Sequence, residues 1–232
     1  MMRCCLAVSV LLALPAFAQT PAPVLVELFT SEGCSDCPPA DRLLAHLDSQ
    51  AIVLSEHVDY WNHLGWKDPF SSPLFSRRQE SYNTQLAAKG PYTPQMIVDG
   101  ETEFVGSDAE RASDAIAKAA HRPKAEIKLT RSAAGLDVSV AAVPSTAEIW
   151  VAFADDRDAS NVSAGENRGR HLEHIAVVRT LRKLGTVKRG GSFTQLVELP
   201  ASAAPQRVVV FLQASDHGRV SGAAEWRGSL SQ

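Results

Sequence analysis

Val24-Leu25-Val26-Glu27-Leu28-Phe29-Thr30-Ser31-Glu32-Gly33-Cys34-Ser35-Asp36-Cys37-Pro38-Pro39-Ala40-Asp41 decides how this chain is read. Residues 24–29 form a short apolar, β-branched run, the pattern of a central strand covered on both faces. Ala40, Leu43, Leu44 and Leu47 then recur at helical spacing along one face. That helix must start near Ser35 or Asp36, because Pro38 and Pro39 are tolerated only where backbone N–H groups lack partners anyway. Cys34 and Cys37 therefore sit at a helix start. There, residues three apart lie on one side, and the sulfurs can close or open a disulfide with little backbone movement. The helix N-terminus stabilises the Cys34 thiolate, the attacking species in thiol exchange.

Two other uses of the pair stand beside exchange. As a staple it is weak, since chain entropy gives only ~2 kcal/mol for a four-residue loop against ~3 for fifteen residues. As a zinc site it supplies half of the usual four ligands, with no second C-x-x-C to complete them.

The chain has 232 residues, with 23 basic and 26 acidic side chains for a formal net charge of −3. This balance excludes disorder and argues against an electrostatic nucleic-acid binder. Residues 1–18, with Arg3, an apolar run from Cys4 to Leu14 and the small-x-small ending Ala16-Phe17-Ala18, predict a secretory signal peptide. Cys4 and Cys5 would leave with it, so of four cysteines only Cys34 and Cys37 would remain. No later segment is apolar enough to span a bilayer. The expected product is exported, to a bacterial periplasm.

Ile52 to Val58 reads as a second strand, followed by an aromatic loop with Tyr60, Trp61, His63, Trp66 and Phe70. Ser72-Pro73 opens a helix carrying Phe75, Tyr82 and Leu86, with a stop at Gly90. After Thr93-Pro94, residues 95–98 and 102–105 flank Asp99-Gly100, a hairpin turn of the primed type. Ser107 with Glu110 reads as a capping box for a last helix that ends before Pro123. From Lys124 onward short strands alternate with turn residues, as in a sandwich. Residues 171–184 fit strand or helix and are read as strand. The predicted fold is an α/β domain (βαβ then αββα) over 19–123, followed by a β-rich, sandwich-like domain over 124–232.

The strand, the C-x-x-C helix start, the Thr-Pro before a hairpin and the closing helix together resemble the thioredoxin fold over residues 24–122. More narrowly, Glu27 to Asp41, His57-Val58-Asp59-Tyr60-Trp61 with Gly65 to Phe70, and Gly165-Glu166-Asn167-Arg168-Gly169-Arg170 resemble an uncharacterised family, a domain of unknown function, of secreted bacterial thioredoxin-like proteins. The resemblance implies that Cys34, the more exposed thiol, attacks and Cys37 resolves the mixed disulfide. It implies that Pro94 is a cis-proline beside the disulfide, with Thr93 offering backbone groups to an extended substrate. Glu27 would be the buried acid that assists proton transfer, its alternative being a solvent-facing strand residue.

Departures from thioredoxin also matter. Gly33 stands where a tryptophan is expected, and Ser35-Asp36 replaces Gly-Pro. Glu32 and Asp36 flank Cys34 and disfavour its thiolate, which predicts a dithiol less oxidising than about −150 mV. His57 and His63 are candidate soft-metal ligands beside Cys34 and Cys37, or ordinary hydrogen-bonded histidines. Trp61 and Trp66, with Tyr60 and Phe70, would line a peptide groove or pack the loop's own core. His171 and His174 have metal-pair spacing only on a helix, and Arg168 with Arg170 could grip a carboxylate. The expected function is an exported thiol–disulfide oxidoreductase acting on a protein partner without a bound cofactor. Its alternative is a non-catalytic periplasmic protein binding copper or a partner.

Overall fold

The structure is a computed structural model describing residues 22–200 and 206–228; the expected signal peptide, with Cys4 and Cys5, lies outside them. In chain order the elements are β1 (Leu25–Thr30), α1 (Cys37–Leu47), β2 (Ile52–His57), α2 (Pro73–Gln85), β3 (Gln95–Val98), β4 (Thr102–Val105) and α3 (Ala109–Ala120). There follow β5 (Ile127–Ser132), β6 (Gly135–Val140), β7 (Ala147–Asn161), β8 (His171–Val187), β9 (Phe193–Val197), β10 (Gln206–Gln213) and β11 (Val220–Gly228).

Local chemistry explains most boundaries. Asp36 caps α1 without a side-chain hydrogen bond, and Pro38-Pro39 occupy the first turn, where no N–H is needed. Ser72 Oγ accepts from Leu74 N at the start of α2. At the β3–β4 turn Asp99 and Gly100 both adopt positive φ (49° and 68°), as a primed hairpin requires. The cap of α3 is a correction to the sequence reading: Asp108, not Ser107, accepts from Arg111 N at 3.0 Å. The ambiguous 171–184 segment is strand.

Eight strands form one mixed sheet in the order β11-β10-β7-β8-β2-β1-β3-β4, and β5-β6-β9 form a second, smaller sheet. β1 runs parallel to β2 and antiparallel to β3. The link between the two parts of the chain is the parallel pairing of β2 with β8 at Ser55 and Val177. Strands after residue 124 thus continue the first sheet, where the sequence pattern suggests a separate layer pair.

Alternation along the strands sets three layers of core. Val26 and Leu28 face α1 and α3, packing with Ala40, Leu44 and Ile116. Leu25 and Phe29 face the opposite side, where Phe75 and Tyr82 of α2 meet Val178, Val209 and Phe211. That cluster joins residues from both halves. Val151, Val208, Val210 and Leu212 pack against Leu136, Val138 and Val140 of the small sheet. The β7–β8 hairpin is long, 15 and 17 residues, and its tip at 162–170 reaches back to the start of α1.

Candidate functional site

Parallel strands β1 and β2 both end beneath the N-terminus of α1, a place where α/β sheets form crevices. Cys34 and Cys37 meet there as a disulfide with Cα atoms 5.5 Å apart. Cys34 Sγ lies 3.7 Å from the carbonyl oxygen of Thr93, and the Thr93–Pro94 peptide is cis. Trp61 Nε1 donates to Thr93 Oγ1 at 2.7 Å. A Cβ on Gly33 would sit 2.8 Å from Trp61 Cβ, so the base of the Trp61 side chain and its backbone occupy the space that a larger residue at 33 would need.

Cys34 is only marginally more exposed than Cys37. Its relative accessibility is 2 % and that of Cys37 is 0 %. The β7–β8 tip is bonded to the backbone of this segment. Asn167, fully buried, donates from Nδ2 to the carbonyls of both Glu32 and Cys34 at 2.8 Å. The Glu166 carboxylate accepts from Ser35 N at 3.0 Å, which holds its pKa below the usual glutamate value. Arg170 donates to Asn167 Oδ1 at 2.9 Å, so this arginine supports the tip instead of gripping a carboxylate.

Beneath the disulfide lies a buried polar cluster that the sequence reading did not assemble. Glu32 receives hydrogen bonds from Trp66 Nε1 at 2.8 Å and from Ser160, and its Oε1 lies 3.2 Å from His174 Nε2. Asp41, one helical turn after Cys37, accepts from Thr30 Oγ1 at 2.9 Å and lies 3.8 Å from His174 Nδ1. His57 Nδ1 is 2.7 Å from Asp68 Oδ2, and the rings of His57 and His174 are 4.7 Å apart. Burial alone would depress the His174 pKa, but the hydrogen bond to Glu32 and the charges of Asp41 and Asp68 raise it. Burial also raises Asp41, against the pull of both histidines. For Asp68 burial is overcome by the charge of His57 and by backbone N–H donors, and the carboxyl is held low.

Glu27 is elsewhere. Strand alternation turns it to the α2 face, where Arg78 donates to its Oε1 (Nε at 2.8 Å, Nη2 at 2.5 Å) and the Tyr82 hydroxyl donates to Oε2 at 2.5 Å. It is fully buried, neither solvent-facing nor free to serve the cysteines. Nor do the metal candidates converge. His63 is exposed, with Nδ1 2.6 Å from the Tyr60 carbonyl oxygen, while His57 is committed to Asp68. Among the described residues no group of three His, Cys, Asp or Glu side chains is placed to hold a metal ion. His171 and His174 lie on a strand, not a helix.

A match to the family model described as protein of unknown function (DUF1223) spans residues 25–213. The chain belongs to the DUF1223 family. No curated protein matches it. The DUF1223 chain is similar to the crystal structure of protein AGR_C_4864 from Agrobacterium tumefaciens at 28 % identity and a TM-score of 0.75, over 93 % of this chain and 98 % of that one. HBP35 of Porphyromonas gingivalis shares the fold at 16 % identity and a TM-score of 0.58, over 90 % of this chain and 76 % of that one.

The site residues that sequence reasoning missed in this DUF1223 protein left a trace. Between exposed His171 and Glu173, Leu172 and His174 take the inward positions at the start of β8, and Asp41 lies one turn beyond Cys37 on a buried helix face. No helix among the described residues is long and apolar enough to cross a membrane.

Proposed function

We propose that this protein is an exported thiol–disulfide oxidoreductase whose residues 24–122 form a thioredoxin-like unit. Cys34 is the attacking thiol, and Cys37 resolves the mixed disulfide formed with a protein partner. The observation that carries the reading is the Cys34–Cys37 pair at the start of α1, over the ends of two parallel strands, with the Thr93 carbonyl beside Cys34. A partner cystine would approach along Thr93-Pro94, with Trp61 fixing Thr93 and Trp66 fixing Glu32. The Glu166 carboxylate on Ser35 N, beside Cys34, opposes a thiolate there, as do the sequence neighbours Glu32 and Asp36, which favours the disulfide and a low potential.

Cys34 is nearly buried and its carbonyl is tied to Asn167, so in this reading the β7–β8 tip moves to admit a partner. The test is a trap. Cys37→Ala leaves a mixed disulfide unresolved, so the full chain expressed with its leader should be recovered bound through Cys34 to a defined set of proteins, released by reductant. Recovery of unbound monomer alone, with Cys34 unreacted, refutes the proposal.

A further inference from the structure

Thiol exchange moves protons as well as electrons, and Cys37 is buried with no exposed surface. In the mixed disulfide, Cys34 is bonded to the partner's sulfur and Cys37 carries its proton. The Cys37 proton must leave as its sulfur attacks Cys34; the Cys34–Cys37 bond forms, the Cys34–partner bond breaks, and the electron pair departs on the partner thiolate, which takes a proton from water. The partner disulfide is the only oxidant this needs. A buried thiol therefore requires an internal acceptor with a path to solvent.

Asp41 lies on the same buried face of α1 as Cys37, one turn along. Its Oδ2 is 3.8 Å from His174 Nδ1, a buried nitrogen with no hydrogen-bond partner, while His174 Nε2 is anchored 3.2 Å from Glu32. Asp41 and His174 also line a cavity of about 450 Å³ between α1 and the β7–β8 hairpin, together with Arg42, Asp158 and Glu173. We propose that Asp41 and His174 carry the Cys37 proton to solvent through this cavity, an inference that rests on the exchange reading above. β8, a strand outside the α/β unit, thus supplies the proton-transfer residue, and Glu27 has no part in it.

The groups facing His174 are Glu32 and Asp41, His57 with Asp68 behind it, Asp158 from β7, and the Phe70 ring. Burial and the neighbouring Asp155 raise the pKa of Asp158, as burial raises that of Asp41.

The experiment mixes the reduced full chain with excess dithiobis-nitrobenzoate and follows thionitrobenzoate release. The first release reports Cys34 attack and scales with reagent; the second reports Cys37 resolution and does not. His174→Gln keeps a donor for Glu32 but cannot relay a proton. Expected is an unchanged first release, a second release slowed by about 10²-fold, and loss of its pH step. Added imidazole should restore the second release in His174→Ala through the enlarged cavity. An unchanged second release in His174→Gln overturns the proposal. Should both variants fail to fold, the parent protein decides: its second release must show a solvent deuterium isotope effect and a pH step, and absence of both overturns the proposal equally. No first release from the reduced parent protein would instead refute the exchange reading itself.

Discussion

Replacing Asn167 with Ala isolates what the hairpin tip does. The side chain makes two buried hydrogen bonds, to the Glu32 and Cys34 carbonyls, both at 2.8 Å. At about 1 kcal/mol net for each, the substitution removes about 2 kcal/mol from the closed arrangement. If the disulfide reacts only when the tip is open, the open population rises by about 30-fold, since 1.4 kcal/mol is about a factor of ten. Reduction by limiting dithiothreitol, quenched by alkylation and counted by mass, should accelerate by that factor. Urea denaturation run in parallel reports how much of the loss is global. A variant that loses stability yet is reduced at the parental rate would refute gating by the tip, because the disulfide would then be reached by another route.

Arg78→Met should destabilise by about 3–5 kcal/mol in urea, because it strips the buried Glu27 carboxylate of its cation. Burial, together with Glu27, already raises Glu56 well above the ordinary range in spite of Arg78, so this core cannot hold two unpaired carboxylates. Gly33→Ala should cost about 1–3 kcal/mol, read by thermal and urea unfolding, as the new Cβ meets Trp61 Cβ at 2.8 Å; a neutral result would show that the chain at Trp61 can shift. The His174 pKa is raised above its ordinary 6.5, so its contribution is fully present below that value and is lost as pH rises through the folded pKa. Unfolding free energy should accordingly fall above pH 6.5 in the parent protein and lose that component in His174→Gln, by urea titration across pH.

The parts legible in the sequence are those fixed by local chemistry. Two consecutive prolines pinned the start of α1, and Asp99-Gly100 announced a hairpin because both residues tolerate positive φ. Long-range pairing left no such mark. The contact of Ser55 with Val177 that fuses the two halves into one sheet depends on strands far apart in the chain, and β8 carries a bulged register with Ala176 at φ 50° that blurs its alternation. The site divides the same way. The cysteine pair is visible from spacing, whereas the cluster of buried acids is not, because Ser160 and His174, which join it, come from β7 and β8, far along the chain. Glu27 shows the limit within a single strand: it alternates with Val26 and Leu28, the residues that face α1, so it points to α2 and the acid near the cysteines is Glu32.

The central claim is that Cys34 and Cys37 form a redox couple. Equilibrating the full chain across glutathione ratios, then alkylating and weighing it, measures this directly. The account predicts one reversible two-electron transition, at a potential between about −300 and −150 mV, abolished by Cys34→Ser. A pair that stays oxidised at every glutathione ratio would mark a structural bridge and contradict the claim.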